Sequence, residues 1–313
     1  MDENAVNNVM NNEQVPESSG TDTATPKKRI TAGYIFLAFV PVAILSMIQT
    51  IAQIPFLILA TVNAVNEGLV SEDSISTLST IMNIFAERYS VFMYVIYGVA
   101  GLIVFGIWYF KGYVKKEPRV KPGDVFGVKS VLAVICLVIS LNFVIDALMV
   151  LIGFFFPSLI QQSYEILEQS GLVTDPWITA IYTVVMAPVL EELCFRGVTY
   201  KILEKSGIKT GFIFLLTSIL FGAMHVIPVQ VIYAFIIALF LAFLRYRYRS
   251  ILMPLLAHLL FNVIGAYFNG VVEMIESSDG VTLILGGISM FVVVFSIVLI
   301  NGDKKAYRPA RIK

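Results

Sequence analysis

Two adjacent glutamates, Glu191 and Glu192, lie inside a long apolar stretch of the sequence together with Arg196. A charge at membrane depth costs several kcal/mol, so this cluster indicates a functional site more than a helix end whose charges reach the headgroups. On a helix Glu192 and Arg196 are four residues apart with the acid first, the order that favours an ion pair. Glu191 points about 100° away, so we expect it to be unpaired. It is therefore a candidate general base.

The chain has 2 histidines, His225 and His258, and both occur in apolar stretches. Phe221 precedes His225 by four residues, and Asn262 follows His258 by four. The second spacing places His258 and Asn262 on one helix face, where both can donate hydrogen bonds to a single point. A single membrane histidine is commonly a helix-packing residue. Counted from the basic flanks, however, Glu191, His225 and His258 lie about 15, 24 and 14 Å deep, so they can meet in one cavity.

The apolar stretches that must position these residues predict membrane-spanning helices. Eight of them approach the roughly 20 residues that a span requires: 32–62, 90–110, 128–156, 176–203, 211–227, 229–244, 251–268 and 281–300. The chain is 58% hydrophobic and 14% charged, whereas about a quarter of an ordinary soluble domain is charged. We therefore predict an all-α, polytopic integral membrane protein with about eight transmembrane helices in a lipid bilayer.

Charge along the chain predicts the domain organisation and the orientation. The polar segment 1–30 is predicted to be a disordered cytoplasmic tail, 31–300 an eight-helix membrane domain, and 301–313 a basic cytoplasmic tail. Lys and Arg concentrate before the first span and after the second, fourth, sixth and eighth, whereas the connection 157–175 contains none. The positive-inside rule then places both termini in the cytoplasm. The formal net charge of zero argues against nucleic acid as a partner.

Polar residues elsewhere in the spans receive less specific interpretations. Asn142 and Asp146 form a pair four residues apart in the third span, and we interpret them as packing or cavity-lining groups. Gln49, Gln53 and Tyr182 receive the same interpretation.

The three motifs together resemble those of the CAAX prenyl endopeptidase family, also called CPBP or Abi-like. In order along about 175–270, they are Glu191-Glu192-x-x-x-Arg196, Phe221-x-x-x-His225 and His258-x-x-x-Asn262. This family also includes bacteriocin-processing and bacteriocin-immunity membrane proteins. The resemblance implies an all-helical intramembrane glutamic endopeptidase without a cofactor.

The family also implies a role for each motif residue. Glu191 and His225 match the pair that activates water. Glu192 and Arg196 match the ion pair that supports the site. His258 and Asn262 match the pair that holds the oxyanion.

The function expected from these observations is hydrolysis of peptide bonds in membrane-associated peptides or leader sequences. A zinc-dependent CAAX-type peptidase is one alternative, with Glu191, His225 and His258 as ligands, because three N/O ligands and a water form a catalytic zinc site. A proton-coupled transporter and a non-catalytic immunity or regulatory protein are further alternatives. A substrate peptide or membrane protein is the expected partner, and the cell membrane of a bacterium is the expected location.

Overall fold

A computed structural model describes residues 31–115, 121–170, 176–267, 275 and 278–303. The predicted disordered tail 1–30 lies outside the described residues. So does the predicted basic tail 301–313 from residue 304 onward.

The described residues form helices and contain no β-strand, which confirms the predicted all-α, multi-helix membrane architecture. Six helices among them are long and apolar enough to cross a bilayer: α1 (Ala32–Asn66), α2 (Ser74–Val114), α4 (Val128–Phe155), α6 (Trp177–Ser206, with Pro176 as its first helical residue), α8 (Pro228–Tyr248) and α10 (Asp279–Gly302). Two apolar helices are shorter, α7 (Thr210–Ala223) and α9 (Leu252–Tyr267). The short helices α3 (Pro122–Val125) and α5 (Pro157–Gln169) lie in connections.

The two short apolar helices differ from the predicted spans 211–227 and 251–268. With 14 and 16 residues, they measure about 21 and 24 Å, less than the roughly 30 Å of a hydrocarbon core. Helix α7 ends at Ala223, so His225 lies in a non-helical turn and not inside a helix as predicted. Pro228 begins α8, a position where its fixed φ suits a helix and its missing N–H leaves no bond unmade.

The first two helices are longer than their predicted ranges, 32–62 and 90–110. Helix α1 continues to Asn66 through an internal proline, Pro55. Helix α2 begins at Ser74, where the side chain of Asp73 accepts a hydrogen bond from the Ser76 amide and caps the helix. The connection between the two helices is therefore short. Polar residues that were predicted to be loop extend both helices beyond the apolar stretches.

Helix α5 occupies much of the segment that was predicted to be a connection, 157–175. It begins at Pro157, and its apolar and polar residues fall on different faces, the pattern of a helix lying on a surface. The Ser163 hydroxyl accepts a hydrogen bond from the Val229 amide at 3.3 Å, which holds α5 against the start of α8. Only the lack of Lys and Arg in this segment was considered from the sequence, and not its amphipathic pattern, which includes Glu165 and Glu168.

Contacts between helix termini divide the connections into two ends of the molecule. The basic end is defined by three contacts: Thr31 N to Ser206 O, Arg249 to Glu204, and Tyr248 to Asp303. The acidic end is defined by the pairing of Arg88 with Glu67, between α1 and α2. This division agrees with the alternation of loop charge along the sequence.

Buried side chains form two apolar groups that meet at α8. The first group comes mainly from α1, α2, α6 and α7, and the second from α4, α8, α9 and α10. Helices α4 and α10 approach closely at Gly286, where an added Cβ would collide with the Cβ of Ala147; small residues permit such contact between membrane helices. Helices α6 and α7, which carry the first motif and Phe221, pack mainly in the first group, whereas α9, which carries the third motif, packs in the second.

Candidate active site

Helix α6, which carries both glutamates, contains two π-helical segments. Its segments are α-helical Pro176–Ile181, π-helical Tyr182–Met186, α-helical Ala187–Glu191, π-helical Glu192–Thr199 and α-helical Tyr200–Ser206. Short π-helical stretches are rare and occur frequently at functional sites. Glu191 ends one segment and Glu192 begins the next, so the two carboxylates leave the helix at a change of backbone geometry.

Glu192, Arg196 and His258 form a buried ion cluster. The side chains of Glu192 and Arg196 are fully buried, and Nη1 of Arg196 donates to Oε1 of Glu192 at 2.9 Å, so the predicted ion pair is present. Nδ1 of His258 lies 3.0 Å from the same oxygen. Because an ionised carboxylate only accepts, we assign a hydrogen to this ring nitrogen. Nη2 of Arg196 also donates to the carbonyl of Ala238 at 3.3 Å.

Glu191 occupies a more open position than its neighbour. Its side chain is 22% exposed, against 0% for Glu192. Nε2 of His258 lies 3.6 Å from Oε2 of Glu191, which is longer than a good hydrogen bond. His258 stands between the two carboxylates and faces each with one ring nitrogen. The spacing within α6 could not show this contact, because the histidine comes from another helix.

His225 is positioned by the turn that follows α7. Its amide donates to the Gly222 carbonyl at 3.0 Å, and its Nδ1 lies 2.9 Å from the Phe221 carbonyl oxygen. Since that carbonyl can only accept, Nδ1 carries the hydrogen, and the neutral ring then presents an unprotonated Nε2. An imidazole in this tautomer can accept a proton.

The ring of Phe221 packs against residues of all three motifs. The guanidinium of Arg196 lies over it at 4.6 Å from the centroid. The rings of His225 and His258 lie at centroid distances of 5.0 and 5.8 Å. The phenylalanine of the second motif therefore holds the histidines and the arginine in place through packing, and the guanidinium contact is a favourable cation–π interaction.

A cleft of about 100 Å³ opens beside Glu191 and His225. This space admits several water molecules. Its walls come from α1, α2, α6 and the α7 region, and its lining residues are Leu45, Gln49, Tyr97, Tyr182, Glu191, Phe195, Phe221, Met224 and His225. The first and second motifs thus share one cleft.

Three polar residues of the cleft lie outside the three motifs. Gln49 and Tyr182 were interpreted as packing or cavity-lining groups, and Tyr97 was not considered. An amide in the middle of the first span was the one available signal, because polar side chains at that depth commonly face a cavity. Asn142 and Asp146 do not line the cleft, and Asn142 donates to the Val138 carbonyl of its own helix.

Asn262 reaches α6 at a point away from the glutamates. Its Nδ2 donates to the carbonyl oxygen of Thr183 at 2.8 Å. This bond joins α9 to the first π-helical segment of α6. The two residues of the third motif, His258 and Asn262, therefore contact α6 on both sides of Pro188.

The described residues do not contain three His, Cys, Asp or Glu side chains grouped so that they could hold a metal ion. Of the three alternative zinc ligands, His258 has both ring nitrogens directed at carboxylates. Nδ1 of His225 is occupied by the Phe221 carbonyl. A histidine that offers Nε2 to a metal commonly makes such a hydrogen bond through Nδ1, so the zinc-dependent alternative stays a prediction and is tested by chelation.

The helices and the cleft define a class of protein: a multi-pass membrane protein with acidic and imidazole groups facing one cleft between its helices. Residues 173–264 match the family model described as type II CAAX prenyl endopeptidase, Rce1-like. This match agrees with the family that the three motifs indicate. Its description names a CAAX-type endopeptidase, so the match supports a membrane-embedded protease in general.

No curated protein and no solved structure gives a significant match to this chain.

Proposed function

We propose that this protein is an intramembrane endopeptidase in which Glu191 and His225 activate a water molecule for attack on a peptide bond. The observation that carries the proposal is that these two side chains line one cleft. Glu192 is unsuited to the same task, because it is fully buried and bonded to Arg196 and His258. The chain therefore offers one glutamate to water and keeps the other away from it.

The remaining motif residues would stabilise the negative charge that develops on the carbonyl oxygen of the substrate's peptide bond. Hydrogen-bond donors at that position are commonly the largest contribution to acyl-transfer catalysis. Nε2 of His258 lies beside Glu191 and can donate to an oxyanion when it also carries a hydrogen. Asn262 uses an amide hydrogen for Thr183 and has a second one. We propose these two residues as the oxyanion donors.

We propose membrane-associated peptides or leader sequences as substrates, in the cell membrane of a bacterium. The cleft combines apolar walls with the hydroxyls of Tyr97 and Tyr182 and the amide of Gln49. An extended peptide presents both apolar side chains and backbone donors and acceptors, so these groups suit it. We further propose that the basic end faces the cytoplasm, because Lys and Arg are retained on that side.

The function is tested by incubating the purified protein in detergent with a library of membrane-associated peptides, with and without a chelator. We expect cleavage that Glu191→Gln abolishes and that the chelator leaves unchanged. Cleavage lost on chelation and restored by zinc would support the zinc-dependent alternative. Cleavage that survives Glu191→Gln would contradict the proposed mechanism.

The orientation is tested by cysteine labelling in intact cells. In a background with Cys136→Ser and Cys194→Ala, Lys209→Cys lies at the basic end and Glu72→Cys at the acidic end. An impermeant reagent should label Glu72→Cys alone. Labelling of Lys209→Cys from outside would reverse the proposed orientation.

A further inference from the structure

The first π-helical segment of α6 leaves one backbone carbonyl without its usual donor. The Ala187 amide donates to the Tyr182 carbonyl, five residues back. In a regular α-helix this amide would have bonded to Thr183 O. If the π-helical spacing of five residues continued, the donor to Thr183 O would be the amide of residue 188. That residue is a proline and has no N–H. Neither helical pattern therefore supplies Thr183 O with a backbone donor.

The side chain of Asn262 takes the place of the missing backbone donor. Its Nδ2 lies 2.8 Å from Thr183 O, which is normal hydrogen-bond geometry. An unsatisfied carbonyl at membrane depth is costly because no water reaches it there. The Asn262 amide removes that cost, and Pro188 itself is buried. Both the break in α6 and its partner on α9 are thus built into the packed structure.

We propose that Asn262 is a positioning residue that fixes the break at Pro188 and thereby sets the direction of Glu191. This role rests on the proposed function for its catalytic part and is additional to oxyanion binding. The segment from Ala187 to Glu191 is short and α-helical, so its orientation follows directly from the geometry at its start. On the same helix α9, His258 contacts Glu191 at the end of that segment. Helix α9 therefore holds the segment at both ends.

A double-mutant cycle between residues 188 and 262 tests the inference in detergent without any substrate. In Pro188→Ala, residue 188 regains an N–H that can donate to Thr183 O. Asn262→Ala should lower the folding equilibrium constant about 10-fold in the native background. In the Pro188→Ala background Asn262→Ala should lower the folding equilibrium constant less than about 3-fold. Asn142→Ala is the matched control, because Asn142 donates to a carbonyl of its own helix. Its cost should be equal in both backgrounds.

Amide hydrogen exchange provides a second measurement that does not require the proline variant. Asn262→Ala should accelerate exchange in 182–191, whereas Asn142→Ala should leave that segment unchanged. Equal costs of Asn262→Ala in both backgrounds, or unchanged exchange, would overturn the inference even if the protein is a peptidase.

Turnover then separates positioning from a purely structural role. With a cleaved peptide at saturation, Asn262→Ala should lower kcat with little change in KM, and adding Pro188→Ala should recover about 3-fold or more of the loss. Stability coupling without any recovery of kcat would show that the bond does not position Glu191. Stability coupling in a protein that cleaves no peptide would contradict the proposed function and leave the bond between α6 and α9 intact.

Discussion

The cleft and the buried ion cluster are neighbouring regions that contain chemically similar groups in opposite environments. In the cleft, Glu191 and His225 face space that admits water. In the cluster, Glu192 is fully buried and bonded to Arg196 and to His258. The two glutamates are adjacent in the chain, yet Glu191 lines this cleft and Glu192 does not. Environment, and not residue type, therefore distinguishes the roles that we propose for them.

The same comparison shows how a charge is tolerated inside a membrane protein. Glu192 is neutralised by a cation from its own helix and receives a second donor from α9. Glu191 has a single histidine nitrogen at 3.6 Å, a distance longer than a good hydrogen bond. A carboxylate neutralised by an ion pair holds helices together, whereas one with no close ion pair is a better candidate for proton transfer.

The largest expected effect comes from removing the carboxylate that faces the cleft. Glu191→Gln keeps the size of the side chain and removes the base, so kcat should fall about 10²–10⁴-fold while the melting temperature in detergent changes little. Peptide cleavage and thermal unfolding of the same preparation measure both quantities. Turnover at the native level would show that the exposed glutamate is not the base.

The next effect should appear in stability and should come from the buried cluster. Glu192→Gln leaves Arg196 uncompensated, which costs about 3–5 kcal/mol for a well-buried pair. Thermal unfolding in detergent should therefore show a marked loss. The bond to His258 also loses its charged acceptor, so residual turnover should fall as well.

A paired substitution distinguishes charge from packing in this cluster. Glu192→Gln combined with Arg196→Met removes both charges and should recover part of the lost stability. If Glu192→Gln were stable but inactive while Glu191→Gln unfolded, the contrast between the two regions would be reversed.

A smaller effect is expected from substituting a tyrosine of the cleft, and a tyrosine at the basic end provides the control. The Tyr97 ring lines the cleft, whereas the Tyr248 hydroxyl donates to Asp303 at 3.0 Å at the basic end. Tyr97→Phe should lower kcat/KM about 10-fold with little change in stability, as expected for one lost hydrogen bond to the substrate. Tyr248→Phe, its control, should lower stability and spare kcat/KM. Equal kcat/KM for Tyr97→Phe and the native protein would show that the Tyr97 hydroxyl makes no hydrogen bond to the substrate.

The smallest effect should come from the exposed counterpart of the buried ion pair. The hydrogen bond from Arg88, followed by its charge, lowers the pKa of Glu67 at the acidic end. A lowered folded-state pKa stabilises the protein above the unfolded pKa, and this contribution is lost as the pH falls through the folded value. Arg88→Gln should therefore lower the melting temperature slightly at neutral pH, and the difference should disappear in acid. A difference as large as that of Glu192→Gln would contradict the role assigned to burial.

Features that depend on spacing within one helix were predictable from the sequence. The all-α architecture and the Glu192–Arg196 pair are of this kind, because helix periodicity fixes which residues are neighbours. Contacts between helices were less predictable from the sequence. The position of His258 between two carboxylates and the bond from Asn262 to Thr183 depend on the rotation of α9 against α6, which no local pattern encodes. The π-helical segments also escaped prediction, since regular α-helical geometry was assumed along α6.

The short length of α7 has a consequence for the lipids around the protein. Phe212, Leu215 and Ile219 are exposed on its outer face, so acyl chains contact a hydrophobic surface only about 21 Å tall. A bilayer meets such hydrophobic mismatch by thinning locally, at a modest cost for each ångström. We therefore expect the headgroup region to dip toward the turn that carries His225. The supply of water to the cleft should then depend on the thickness of the surrounding bilayer.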